Sequence, residues 1–167
     1  MATTALKTTS LSAVEFLVAE ICRGSKDIAT THDARYKHVE AIGYRTGLAL
    51  FESHSACISE AKKNMRFQGE LDVIKYLCKD MWQVIFQKQI DNLRTNHKGV
   101  YVLHDNQHPM LTHLPRTIPI DENVQLLLAY PCGVIKGGLA ALGITASVSA
   151  EITALPACKF NLDVRRA

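Results

Sequence analysis

The sequence predicts an α+β domain in which helices stack on one face of an antiparallel sheet. Two observations carry this. Apolar residues recur at helical spacing through the first half of the chain, and they alternate strictly in two stretches near its end. Those two stretches are joined by five residues, TALPA, which favours an antiparallel hairpin. With 167 residues, 47% of them hydrophobic, the chain is long enough for one domain with its own core. We expect a single domain over residues 11–167, preceded by a flexible N-terminus at 1–10.

The first helix is expected to start at Ser12, which has capping-box spacing to Glu15. Val14, Leu17, Val18, Ile21 and Cys22 then share one face, and Gly24 is a plausible stop. Residues 24–33 read as a loop. A second helix begins near Ala34. Val39, Ile42, Gly43, Thr46, Gly47 and Leu50 line one side of it, and Leu48 and Phe51 add apolarity elsewhere. A helix apolar on two sides needs two neighbours. The charged stretch Glu60–Arg66 ends it. A third helix runs from about Phe67 to Gln89, with Phe67, Leu71, Ile74, Cys78, Met81 and Ile85 stepping by fours and threes.

Beyond residue 91 the period changes. Gly99–Asp105 is β-branched and aromatic, as a strand requires. Residues 105–123 contain three prolines and read as loop, with a short strand possible over Met110–Leu114. Val124, Leu126, Leu128 and Tyr130 alternate, which suggests a strand closed by Pro131. Cys132–Leu142 suits a short helix stopped by Gly143. In residues 144–152 and 158–165, Ile144, Ala146, Val148, Ala150 and Ile152, then Cys158, Phe160, Leu162 and Val164, mark one packed face.

Composition excludes several functions. The 19 Lys and Arg against 16 Asp and Glu leave +3, split +2 over residues 1–90 and +1 over 91–167. No basic half exists, so a nucleic-acid partner is not expected. The five cysteines are odd in number, with no C-x-x-C pair, which fits a reducing compartment rather than a disulfide scaffold. The N-terminus has no signal-like apolar run, and no 18 consecutive residues are apolar. Ala2 argues against myristoylation, and the C-terminal residues carry no prenylation or retention motif. A soluble cytoplasmic protein is the expectation.

The search for chemistry finds no catalytic set. His104, His108 and His113 are near one another in sequence but lack the cysteine or helix-face context of a zinc site, so no metal is expected. The glycine-rich Cys132–Gly143 lacks the phosphate-loop Lys-Ser/Thr ending, and its small residues are better read as close packing against the sheet. Cys78, Cys132 and Cys158 read as buried small hydrophobes. Glu70 and Asp72 read as charges favouring a helix N-terminus. Lys62, Lys63 and Arg66 form a local basic cluster, by default a solvated helix end and at most a weak contact with anionic membrane.

One block is distinctive. ELDVIKYLCKDMWQVIFQKQIDNLRTNHKGVYVLHDN (Glu70–Asn106) resembles the signature of the small-subunit family of the TRAPP vesicle-tethering complex, subunit 6 type. There an "FxCKDFW" helix is followed by "KKQIDNLRTNHxGxYVLxDN". AIGYRTGLAL (Ala41–Leu50), YPCGVIKGGLAALGI (Tyr130–Ile144) and SAEITALPACKFNL (Ser149–Leu162) match in order as well. Residues 1–10 and 107–123 match little.

The resemblance implies an α/β plait: N-terminal helices layered on a four-stranded antiparallel sheet. It implies a non-enzymatic, structural subunit without a cofactor, which pairs with the subunit 3 type through its N-terminal helices. A homodimer is possible in isolation. The assembled complex tethers vesicles in ER-to-Golgi and Golgi traffic and exchanges nucleotide on a Ypt/Rab-class GTPase, which other subunits mainly contact. Cytoplasmic location, peripheral at the cis-Golgi and endoplasmic reticulum, follows from the same resemblance. The subunit 3 type carries an acylated cysteine near the start of the third helix. Asn64 stands there in this chain, so acylation is not expected. A small hydrophobic-ligand-binding or sensor module of the same fold is the alternative. From the apolar faces of the first two helices, Val14, Leu17, Val18, Ile21, Ile42, Gly43, Thr46, Gly47 and Leu50 are the expected dimer interface.

Overall fold

The computed structural model describes residues 10–61, 67, 69–96 and 98–164, and the side chains of all of these but 55–61. Two long helices come first, α1 (Leu11–Ile28) and α2 (His32–Ala61). The third helical stretch, Glu70–Phe86, is built from α3 (Glu70–Tyr76), a π turn (Leu77–Met81) and α4 (Trp82–Phe86). Then follow β1 (Asn92–Thr95), β2 (Val100–Asp105), the short helices α5 (Pro109–Thr112) and α6 (Glu122–Leu126), then α7 (Ala129–Ala141), β3 (Ala146–Ala154) and β4 (Ala157–Val164). The sheet is antiparallel throughout, in the order β1-β2-β4-β3. This is the α+β class expected from the residues.

Each element has a local cause. α1 starts one residue before Ser12; Ser10 stands at its N-cap but makes no side-chain cap bond, so the expected capping box does not form. Nor does Gly24 stop it. A Cβ there would meet nothing, and the helix runs four residues further, with Ser25 buried and its hydroxyl donating to the Cys22 carbonyl at 2.6 Å. Val14, Val18, Cys22 and Ser25 form the stripe that α1 lays against the body. The third helix ends at Gln87, whose left-handed backbone (φ 57°) returns its N–H to the Gln83 carbonyl. Glu70 and Asp72 sit in its first turn, as expected.

Three expectations about the second half fail. Met110–Leu114 is not a strand, because Pro109 opens the helical turn of α5. Val124–Tyr130 is not a strand either. The Asp121 carboxylate accepts from the backbone N–H groups of Asn123 and Val124 and caps α6, which leads directly into α7. The buried Val124, Leu126 and Leu128 do alternate in burial, but on helical turns rather than a pleat. Pro131 lies in the first turn of α7, where its missing N–H costs nothing, and does not terminate an element. Conversely, β1 carries only Leu93 and Thr95 as half-buried positions, too weak a pattern to mark a strand.

Residues 122–141 are long and apolar enough, by composition alone, to cross a bilayer. Here they form α6 and the core helix α7, in which from Ala129 to Leu139 only Lys136 is not buried. Gly143, at φ 77°, then turns the chain into β3. The β3–β4 hairpin forms as expected, with a shorter turn at Leu155 and Pro156 than the TALPA spacing suggested. Its inward residues Cys158, Phe160, Leu162 and Val164 join Tyr101 and Leu103 of β2 beneath Trp82 and Phe86. The other sheet face carries Ser147, Ser149, Glu151, Lys159 and Asn161.

Candidate partner interface

Glycines decide how the two longest core helices meet. Gly43 and Gly47 on α2 face Gly133 and Gly137 on α7. A Cβ on Gly47 would fall 2.8 Å from the Val134 Cα and carbonyl carbon, and one on Gly137 would fall 2.8 Å from the Tyr44 carbonyl carbon. Backbone meets backbone from both sides, so these glycines form a seam inside the chain. The same packing buries Val39 and Phe51, which continue the α2 stripe at spacings of four. The small residues of α7 thus let it lie against α2, not primarily against the sheet.

That seam corrects part of the expected interface. Gly43 and Gly47 face α7 and offer no surface to a partner. Val18, 1% exposed, belongs to the stripe that holds α1 to the body. The adjacent α2 stripe is only partly open: Ile42 is half-buried against the core, Thr46 is half-buried with its hydroxyl donating to the Ile42 carbonyl at 3.0 Å, and Leu50 is exposed. Val14 and Ile21 are half-buried and border the core. On α1, Leu17 is 60% exposed and Phe16 is 74% exposed. Phe16 was missed because it falls outside the inward stripe; a large apolar residue off a helix's buried face was the signal that could have found it. The open apolar surface therefore comprises Phe16 and Leu17 on α1 and Leu50 on α2, with the half-buried Ile42 and Thr46 beside it.

The distinctive Lys88–Asn106 block has a structural explanation. Asp105 is fully buried at the end of β2. Its carboxylate accepts from the Trp82 indole N–H at 3.2 Å, from the Gln107 backbone N–H at 3.2 Å and from the Lys88 ammonium, and His108 Nδ1 lies 2.9 Å away. Lys88 also bonds Asp91 at 3.1 Å, and Asp91 accepts the Asn106 backbone N–H at 2.7 Å. Asn96 accepts from the backbone N–H groups of Lys98 and Val100, and Gly99 takes φ 88° in the β1–β2 turn. The block thus clamps the third helix to the β1–β2 hairpin.

Burial alone would raise the Asp105 carboxyl, but the bonds and charges of His108 and Lys88 outweigh it and hold it down at about 2. His108 packs its ring among Trp82, Phe86 and Phe160, with centroids at 6.1, 4.9 and 5.4 Å. His113 reaches Glu15 instead, at 2.9 Å, and His104 sits half-buried in β2, so the three histidines do not converge. Burial lowers the reactivity of the four described thiols: Cys22 is pushed up to about 11 and Cys78 and Cys132 to about 12, and Cys158 is raised further. Cys57, Lys62, Lys63, Asn64 and Arg66 lie outside the side chains described.

Known proteins agree with this picture. The human trafficking protein particle complex subunit 6B is 44% identical over 128 residues, 77% of each chain. The zebrafish (Danio rerio) subunit 6b is 39% identical over 155 residues, covering 91% of this chain and 95% of its own. Among solved structures, trafficking protein particle complex subunit 3 from Naegleria fowleri, covalently bound to palmitic acid, superposes with a TM-score of 0.74 over 93% of this chain and 95% of its own. At 15% identity that match speaks for the fold alone. The family described as transport protein particle (TRAPP) component matches residues 14–165, and the chain belongs to that family.

Proposed function

We propose that this chain is a structural, non-enzymatic subunit of a TRAPP-type trafficking complex that acts by pairing with a subunit of the subunit 3 type. The carrying observation is the exposed apolar surface on α1 and α2. Phe16 and Leu17 lie on the face of α1 away from the body, and Leu50 is exposed on α2. Large apolar groups left in water on neighbouring helices favour association. Stable interfaces bury about 1,200–2,000 Å², which two helices per partner supply. Family membership supports partners among TRAPP subunits, and 44% identity to a subunit 6B supports the subunit type.

On this reading the chain is cytoplasmic, is peripheral at the cis-Golgi and endoplasmic reticulum through its complex, and meets a Ypt/Rab-class GTPase only indirectly. The test is co-expression with a subunit 3 homologue, followed by sedimentation. A one-to-one complex is expected. Leu17→Asp combined with Leu50→Asp should weaken it at least a hundredfold, because two buried apolar contacts become buried charges, while the melting temperature of the isolated chain stays within about 2 °C of the parent. A parent chain that stays strictly monomeric beside the homologue, at micromolar concentrations of both, would refute the pairing.

A further inference from the structure

Beside α1, away from the glycine seam, a groove of about 280 Å³ opens between the helix and the segment that runs from Leu114 to Leu127. Its floor is apolar, made by Cys22, Leu114, Ile118, Val124, Leu126 and Leu127. Its rim is cationic, with Arg23, Lys26 and Arg35 against the single carboxylate of Asp121. Arg23 is paired with Glu20. Among the described residues Arg35 bonds only neutral groups, the Ser25 hydroxyl at 3.2 Å and the Asn123 side-chain carbonyl at 3.3 Å. Among the described residues Lys26 has no carboxylate within ion-pair distance. Asp121 already spends its oxygens on the α6 cap.

The groove is held open at defined points. His113 meets Glu15 at 2.9 Å, Cys22 Sγ donates to the Leu126 carbonyl, and Arg35 reaches Asn123, so the 114–127 segment is tied to both N-terminal helices. Phe16, Ala19, Arg23 and Lys26 follow each other on α1 at spacings of three and four. Of these, Ala19, Arg23 and Lys26 form the α1 wall of the groove.

We infer that this groove docks an acidic, apolar peptide segment of a partner protein, inserting one or two aliphatic side chains between carboxylates that face Lys26 and Arg35. Charge complementarity selects the occupant: among the described residues no carboxylate pairs with Lys26 or Arg35, and both border an apolar floor. At about 280 Å³ the groove stands at the small end of ligand-site volumes, room for one or two side chains. Clusters that hold anionic membrane carry four to eight Lys or Arg, more than this rim provides. The site is distinct from the α1–α2 surface proposed for pairing.

The experiment selects a phage-displayed random 12-residue library on the immobilised full chain. The strongest synthetic peptide is then titrated by fluorescence anisotropy against the parent, Lys26→Glu and Ala19→Trp. Both residues are exposed on α1, so both variants keep the fold; melting is measured, and Lys26→Glu alone decides if Ala19→Trp melts early. Selected peptides should carry Asp or Glu flanking two aliphatic residues. Each variant should weaken binding roughly tenfold, and Lys26→Glu should also flatten the salt dependence. Pairing with the subunit 3 homologue should be unchanged in both, so failure of that pairing and failure of the groove read out separately. Selection without an acidic, apolar consensus overturns the inference, as does peptide binding that survives both variants. So does Lys26→Glu-sensitive binding found only with vesicles containing phosphatidylserine.

Discussion

The glycine seam between α2 and α7 makes a signed prediction when two glycines are replaced by the same residue. Gly24 and Gly47 both lie inside long helices, and in an exposed helix Gly→Ala gains about 1 kcal/mol of intrinsic propensity. At Gly24 a new Cβ meets nothing within 4 Å. Gly24→Ala should therefore stabilise the chain by about 0.5–1 kcal/mol and raise the melting temperature by roughly 1–4 °C, at the 2–4 °C per kcal/mol of a domain this size. At Gly47 the same Cβ lies 2.8 Å from two backbone carbons of Val134, where ordinary contact begins at 3.4 Å, and the Val134 carbonyl oxygen is closer still. Backbone cannot rotate aside as a side chain can. α7 must retreat by about 0.6 Å or more along the seam, and a gap of that size forfeits a quarter to a half of each van der Waals contact it opens.

Overpacking of this kind costs about 1–3 kcal/mol, and backbone on both sides puts the cost at the upper end. Subtracting the propensity gain leaves a net loss of about 2 kcal/mol, or roughly 4–8 °C. Thermal melts by circular dichroism at one protein concentration read both variants, and titration with the subunit 3 homologue well below the melting point reads pairing. Gly47→Ala is expected to pair with unchanged affinity, because its side chain would point at α7. A Gly47→Ala chain that melts at or above the parent, or that loses affinity at unchanged melting temperature, would refute the seam and return Gly47 to the partner surface.

Two further outcomes follow from titratable groups. Asp105 is held below its unfolded value, so its contribution to stability is present above about pH 4 and is lost as the pH falls towards 2. A depression from 3.8 to about 2 in a fully buried carboxyl corresponds to on the order of 2 kcal/mol. Urea titrations from pH 5 to pH 2 should show that loss in the parent and a smaller one in Asp105→Asn, whose neutral side chain cannot titrate; equal slopes would exclude Asp105 as the source. Burial raises the thiols of Cys22, Cys78, Cys132 and Cys158, so iodoacetamide at pH 7.5 should leave all four unmodified in the folded chain and alkylate them in urea, read peptide by peptide in a mass spectrometer.

Much of the fold was legible locally. The period of Val14, Val18 and Cys22 marks α1, the fours and threes of residues 71–85 mark the third helix, and strict alternation marks β3 and β4. Each of these segments buries one face, and a one-sided burial pattern reports its own backbone period. Where a segment is buried on several sides the pattern stops discriminating. Val124, Leu126 and Leu128 alternate, yet they lie on helical turns started by the Asp121 cap and enclosed by the rest of the core. β1 failed for the opposite reason, since it buries too little to show any pattern.

The candidate interface divides along the same line. The sequence by itself determined that α1 and α2 carry more apolar surface than one contact needs, and the Glu70–Asn106 block determined the family. Only the tertiary structure decided which α2 stripe is spent internally. Gly43, Gly47 and Phe51 lie against α7, a helix some ninety residues away in the chain, and Leu50 is left exposed. Asp105 shows the same dependence, because its partners Trp82 and Lys88 arrive from another element. Periodicity measures how often a face is covered, whereas what covers it depends on residues distant in sequence, and no local spacing encodes their position.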